Sequence, residues 1–338
     1  MTDPSPEKTP ARDRATTVVV GAVAFAATLI LLFGFASLIL QSRDRGAATV
    51  IPSASRSAAP GVTGSSTPSV SPPASGSASA AGSSGASPAH GSAVRSPVAT
   101  ASADPIFVGA GDNAYENGSA DDYRNCYDPT WGTFKDRTRP VPGNHDWQTK
   151  DLAGYLGYFG TAAAPQGTSW YSYDLGTWHL VVLDSDCGSV GGCGAGSAQG
   201  RWLSADLAGA NARCTLAIWH HPRFSSGFHG NDAEVGPLWT ALYDAGADVV
   251  INGHDHDYER FAPQDPGGHE DRARGIREFV VGTGGAALRP FVITRANSEL
   301  RVSMTHGVIE LALHEASYQW TFLPTTGDVT DSGTAPCH

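Results

Sequence analysis

Ala247-Asp248-Val249-Val250-Ile251-Asn252-Gly253-His254-Asp255-His256-Asp257-Tyr258-Glu259-Arg260 is an apolar run that breaks at a glycine into a loop with two histidines two residues apart. The apolar part reads as a buried strand, and loops at strand ends are where functional side chains are presented. Two imidazoles so spaced can turn toward one point, and imidazole is the commonest ligand for zinc, iron or manganese. A lone His-x-His is more often two polar loop residues, so its meaning depends on the rest of the chain.

Other segments repeat the pattern of strand and polar tip. Ile106-Phe-Val-Gly-Ala-Gly ends at Asp112, with Tyr115 three residues on. Arg139-Pro-Val-Pro leads into Gly143-Asn144-His145-Asp146, and Cys214-Thr-Leu-Ala-Ile-Trp219 ends in His220-His221-Pro222. Trp170 to Gly176 and Trp178 to Asp184 read as a hairpin, and segments 197–207 and 237–245 as amphipathic helices. Segments 275–285 and 307–323 supply further strands, and Gly282, Gly284 and Gly285 permit close backbone approach. In a layered α/β domain, strand ends on one edge converge, so Asp112, Asn144, His220, His254 and His256 can meet. Taken singly, these residues have plainer readings: an Asx turn at Asp112, a helix cap at Asn144, and structural serines at Ser225 and Ser226.

Composition divides the chain of 338 residues. No charged residue occurs from Ala15 to Ser42, and Val18 to Leu40 is almost wholly apolar, long enough as a helix to span a bilayer core of about 30 Å. The expectation is a cytoplasmic tail over 1–14 and an uncleaved signal-anchor helix over 15–42, with a cleaved signal peptide as the rival. Residues 43–103, mostly Ser, Ala, Pro, Gly and Thr, read as a disordered linker. Seven of the 22 basic and four of the 33 acidic residues precede Asp104, which leaves 15 against 29 in the globular part, a net of −14. That charge argues against nucleic acid as the main partner and favours a domain that holds cations. All five cysteines lie there, Cys187 and Cys193 close enough to pair, which points with the anchor to an oxidising, extracytoplasmic compartment.

Gly111-Asp112-x-x-Tyr115, Gly143-Asn144-His145-Asp146, His220-x-Pro222 and Gly253-His254-x-His256, in this order, resemble the motifs of the calcineurin-like metallophosphoesterase superfamily. Tyr115 and the Tyr258-Glu259-Arg260 tail resemble its purple acid phosphatase-like branch. The resemblance covers essentially all of 104–338 and implies a four-layer αββα sandwich with a two-metal site. It implies that Asp112 bridges the metals and that Tyr115 and His256 complete an iron(III) site. Asn144, His220 and His254 then hold zinc, manganese or iron(II). His145 would steady the substrate phosphate and protonate the leaving oxygen, with His229 a weaker candidate beside it. Two such cations clamp the phosphoryl oxygens and make hydroxide available near neutral pH.

One motif of the family is not found. An earlier strand bearing a carboxylate, the fourth protein ligand of the iron site, should precede Asp112, but the linker runs almost directly into Ile106. The sequence therefore reads as lacking that strand-helix unit, with Asp104 and Asp184 as possible substitutes and with one metal of the two held loosely. The leading expectation is a membrane-anchored extracytoplasmic phosphomonoesterase acting on a small phosphorylated substrate. A degenerate relative that binds metal or phosphorylated ligand without turnover, and a phosphodiesterase or nucleotidase, are the alternatives.

Overall fold

Short runs of valine, isoleucine and leucine bounded by glycine, proline or aspartate form the strands of two sheets in this computed structural model, which describes residues 16–21 and 105–338. One sheet has six strands. In spatial order they are β13 (Ser332–Pro336), β12 (Ser317–Pro324), β11 (Gly307–Leu313), β1 (Thr16–Gly21), β2 (Ile106–Gly109) and β3 (Thr138–Arg139). The other has seven: β10 (Ser298–Val302), β8 (Tyr258–Phe261), β9 (Arg277–Val281), β7 (Val249–Asn252), β6 (Cys214–Ile218), β5 (Trp178–Val182) and β4 (Tyr171–Leu175).

Period-two alternation sorts the side chains. Along β5, Trp178, Leu180 and Val182 enter the core between the sheets, where they join Val18, Val20 and Val108 with Ile309 and Leu311. Val181 faces the other way, onto helices α3 (Ala198–Gly209) and α4 (Gly236–Asp244), in a second core with Trp219, Leu203, Leu238 and Trp239. Ser197 caps α3 by accepting from the Gly200 N–H. A third cluster, built on Tyr123, Tyr127, Tyr155 and Phe159, packs the short helix α1 (Ala120–Asp122) and the turn after it onto α2 (Ala153–Phe159). The outer face of the six-stranded sheet carries the 3-10 segment 131–137, with Phe134 stacked on Phe107 at 4.0 Å. Three of the four expected layers are thus present; among the described residues, the fourth is represented by that segment alone.

The first residues of the expected signal-anchor helix need correction. Thr16–Gly21, its N-terminal part, is a strand between β2, to which it is parallel, and β11, to which it is antiparallel. Val18 and Val20 are fully buried between the sheets. β-branched residues favour this setting, and an inner strand satisfies its backbone on both edges. Among the described residues, no helix is long and apolar enough to cross a membrane. The rest of that apolar segment (22–42), the 1–14 tail, the 43–103 linker and Asp104 lie outside the described residues. The strand thought missing before Asp112 is therefore supplied by 16–21. The apolar segment that follows it, residues 22–42, contains no Asp, Glu or His to act as the carboxylate.

Among the five cysteines, Cys187 is bonded to Cys193 and Cys214 to Cys337, which leaves Cys126 free. The second bridge ties the C-terminus to β6 across 123 residues.

A candidate metal centre at the strand ends

β1, β2 and β3 run parallel in one sheet, as do β5, β6, β7 and β9 in the other. The loops that follow β2, β3, β6, β7 and β9 open onto one cavity of about 230 Å³, lined by Asp112, Tyr115, Glu116, Asn144, His145, His229, His254, His256 and Arg289 with Ala286 and Ala287.

Backbone geometry makes the convergence possible. Asp112 (φ 49°) and His254 (φ 64°) both adopt the left-handed conformation, uncommon for non-glycine residues and frequent at functional sites. Two glycines allow the loops to touch. A Cβ on Gly111 (φ +87°) would lie 2.3 Å from His220 Nδ1, and one on Gly143 would lie 2.3 Å from both the amide nitrogen and Oδ1 of Asp112. Asp146 then brackets the loops, accepting from Tyr123 Oη (2.6 Å), Asn113 Nδ2 (2.9 Å) and the Gly143 N–H (3.0 Å). Burial, reinforced by the charge of Asp112, pushes the Asp146 carboxyl up to about 6.

The donor atoms form two groups that share Asp112. Around His220 Nε2 lie Asn144 Oδ1 at 3.1 Å, His254 Nδ1 at 3.2 Å and Asp112 Oδ2 at 3.2 Å. On the other side, Tyr115 Oη is 2.8 Å from Asp112 Oδ2 and 3.3 Å from His256 Nε2. Donors about 2.1 Å from one transition-metal ion stand about 3 Å from one another, so both groups have the spacing of a coordination sphere. The first offers two imidazoles, a carboxylate and an amide oxygen; the second offers three donors.

The protonation states suit cation binding. Burial and the neighbouring His220, His221 and His229 push His254 far down, so it is neutral with a lone pair to give. Burial also lowers His256, whose Nδ1 donates to the Ala287 carbonyl at 2.9 Å and leaves Nε2 free. For Asp112, burial alone would raise the carboxyl, but His220 and His145 hold it well below the usual range. Burial and then Asp112 push the Tyr115 phenol far up, so a phenolate here needs a strong cation beside it.

Several neighbours have other duties. Of the adjacent histidines, His220 is fully buried against the Ala110 carbonyl, while His221 Nδ1 lies 2.9 Å from Ser185 Oγ. Ring nitrogens of His220, His221 and His254 nevertheless lie within 4.8 Å of one another. His145 Nδ1 meets the Glu116 carbonyl, an acceptor only, so Nδ1 donates and Nε2 is left for the cavity. His229 Nε2 accepts from the Arg289 guanidinium at 2.9 Å, which ties up its lone pair and makes it a positioning group rather than an acid. Asp184 is engaged by Ser169 Oγ, Trp147 Nε1 and the Asp186 N–H, so it does not substitute for the iron-side carboxylate. Ser225 and Ser226 anchor their loop to Asp255 and Glu259. Arg260 pairs with Asp331 and Glu299.

A family model for calcineurin-like phosphoesterase matches residues 98–258, which contain every one of these donors. The chain carries a calcineurin-like phosphoesterase domain. Purple acid phosphatase 15 of Arabidopsis thaliana is 31% identical to it over 176 residues, covering 43% of this chain and 32% of that protein. Purple acid phosphatase 21 of the same plant is 31% identical over 165 residues, covering 42% and 37%. The solved structure of purple acid phosphatase PPD1 from yellow lupin seeds matches the phosphoesterase domain with a TM-score of 0.54 at 21% identity, covering 68% of this chain and 46% of that one; this is a likeness of fold. The chain spans about a third of the length of the curated relatives it matches.

Arg289 and Glu116 line the cavity of the phosphoesterase domain and were not singled out from sequence. The signal for Arg289 was available: it follows β9, a parallel strand whose end faces the same edge as β6 and β7.

Proposed function

We propose that the protein is a metal-dependent phosphoesterase acting on phosphate monoesters, with small phosphorylated molecules as substrates. The observation that carries this reading is the gathering of Asp112, Tyr115, Asn144, His220, His254 and His256 into two donor groups on one open cavity. An iron(III) ion on the Tyr115 side and zinc, manganese or iron(II) on the His220 side would, when bound, polarise phosphoryl oxygens and acidify water.

The chain's own residues supply the rest. Asp112 is fixed on both oxygens: Oδ1 accepts from the His145 N–H at 2.8 Å, and Oδ2 faces Tyr115 and His220. His145, with Nδ1 held by a carbonyl, presents Nε2 toward the leaving oxygen and, as the imidazolium, hands it the Nε2 proton. Arg289 holds His229, and Asp255 accepts from the His229 N–H at 2.7 Å, which sets the far wall. No serine or cysteine nucleophile is needed.

The three-donor group at Tyr115 favours one second reading, a protein that retains one divalent ion and binds phosphorylated ligand with little turnover. Metal analysis of the full chain with a chromogenic phosphomonoester assay separates the two. Hydrolysis well above an Asp112→Asn control with two ions per chain supports the enzyme; one ion and rates equal to that control leave only the binder.

We also propose an extracytoplasmic location, supported by two disulfides in a domain of this size. Attachment to a membrane would rest on residues 22–42. Fractionation of cells, with and without thiol trapping, tests both: free thiols at Cys214 and Cys337 in freshly isolated protein contradict the location, and recovery in the soluble fraction contradicts the attachment.

A further inference from the structure

We propose that the guanidinium of Arg289 is a phosphate-binding group of this cavity, taking a phosphoryl oxygen on the Tyr115–His256 side, where three protein donors gather rather than four. The inference rests on the phosphoesterase reading and deepens it by naming who holds the substrate's charge.

Arg289 is a cavity-lining cation in a segment pinned from several directions. Its N–H donates to the His256 carbonyl at 3.1 Å, and the His256 ring in turn bonds the Ala287 carbonyl. Further along the same loop, the Val292 N–H reaches the Ser226 carbonyl and the Arg295 N–H reaches Ser226 Oγ at 2.9 Å. The guanidinium lies over the exposed Phe228 ring at 5.1 Å, which restricts its plane. The backbone that carries Arg289 is therefore welded to a metal-ligand candidate, and the head group is shelved on an aromatic ring.

The donor count argues for a task beyond structure. A guanidinium has five N–H donors in a rigid fork suited to phosphate. Among the described residues, its side chain makes one hydrogen bond, to His229 Nε2, and no ion pair. A neutral imidazole nitrogen is a modest partner for a permanent cation, and a phosphoryl oxyanion entering the cavity is a better one. Position agrees: Arg289 lines the same cavity as Tyr115 and His256. A cation there helps to offset a dianionic phosphate when the protein supplies few donors to hold a second ion.

The rival account is that Arg289 serves only to orient His229. Inorganic phosphate is the probe that separates them, titrated calorimetrically into the manganese-loaded full chain and used as an inhibitor of phosphomonoester hydrolysis. Arg289→Met keeps the length and removes the charge; Arg289→Lys keeps the charge and loses the fork. For a bound phosphate oxygen, R289M weakens phosphate binding and raises KM about 10- to 100-fold, R289K recovers part of the loss, and manganese content is unchanged. His229→Ala then weakens phosphate binding by clearly less than R289M. If R289M and wild type bind phosphate equally, or if H229A reproduces the whole loss, the assignment is wrong. Phosphate binding through Arg289 in a chain that does not hydrolyse esters overturns the enzyme reading and leaves this one standing. Hydrolysis that is indifferent to R289M does the reverse, and a wild-type chain that binds no phosphate overturns both.

Discussion

Asp112 Oδ2 lies 3.2 Å from His220 Nε2, although the two residues end strands in different sheets. Both are almost fully buried, and each perturbs the other in the direction expected of an ion pair. Such a pair at a cavity edge is a ready place for a divalent cation, which would take the position the imidazole proton now fills. Asp112→Asn and His220→Ala should each reduce bound divalent metal more than about 100-fold in affinity, since losing even a supporting contact of a ligand costs about 10- to 100-fold. Inductively coupled plasma analysis after dialysis against metal buffers reads this directly. Unchanged metal content in both variants would remove the centre from this cavity.

The placement of Val20 between the sheets gives a sharp test of the N-terminal strand. Val20→Ala should lower unfolding free energy by about 2 kcal/mol, and Val20→Asp, which buries an unpaired carboxylate, by roughly 3 kcal/mol or more. A segment that served as an anchor or a tether would tolerate Val20→Ala with no change in the domain's urea midpoint. A fragment that starts at 104 lacks this inner strand, so it should unfold at lower denaturant than the full chain; equal midpoints would mean that β1 adds nothing.

Asp146 is the group that ties the Asp112 loop to the Asn144 loop. Replacing it with alanine leaves the Tyr123 hydroxyl, the Asn113 amide and the Gly143 N–H without their acceptor. At about 1 to 3 kcal/mol for each buried unsatisfied group, a loss of about 3 kcal/mol or more is expected. Calorimetric melting and metal affinity should fall together. A variant that melts normally yet loses metal would mean that Asp146 is itself a ligand, against the placement seen here.

His179 supplies a pH test remote from the site. Its Nδ1 is 2.8 Å from Asp174 and its Nε2 2.8 Å from Asp206. Burial alone would push the imidazole down, but the hydrogen bonds and charges of Asp206 and Asp174 raise it above its ordinary value. A group raised on folding contributes stability that is fully present below its unfolded value of about 6.5 and is lost as pH rises through the folded one. Urea midpoints of the wild type should therefore decline from about pH 6 toward pH 8, and His179→Gln should flatten part of that slope. Parallel pH profiles for the two proteins would rule out the charged His179.

Much of this molecule was legible in one dimension. The strand tips at 112, 144, 220 and 254–256 were readable because a buried parallel strand must be continuously apolar and its loop must begin with residues that turn, so chemistry-bearing side chains stand out at the breaks. Cys187 and Cys193 were near enough along the chain to imply their bridge. Ser225 and Ser226 were read as structural, and they hold their loop to Asp255 and Glu259. The partners of Arg260 were not legible, because its neighbour Glu259 points to the other face of the strand, while Asp331 and Glu299 arrive from distant segments.

Local composition determined the order of strands and helices, the donor types and their spacing. Only the tertiary structure decided that Thr16–Gly21 is an inner strand, because a valine-rich run satisfies a helix in lipid or a strand between sheets equally well until its hydrogen-bonding neighbours, β2 and β11, are in place. It alone also decided that Arg289 faces the cavity, that Asp184 does not, and that Tyr115 and His256 meet across Asp112. Side-chain direction at a loop is set by contacts as much as 141 residues apart, as between Tyr115 and His256, and those contacts exist only once the two sheets have closed on each other.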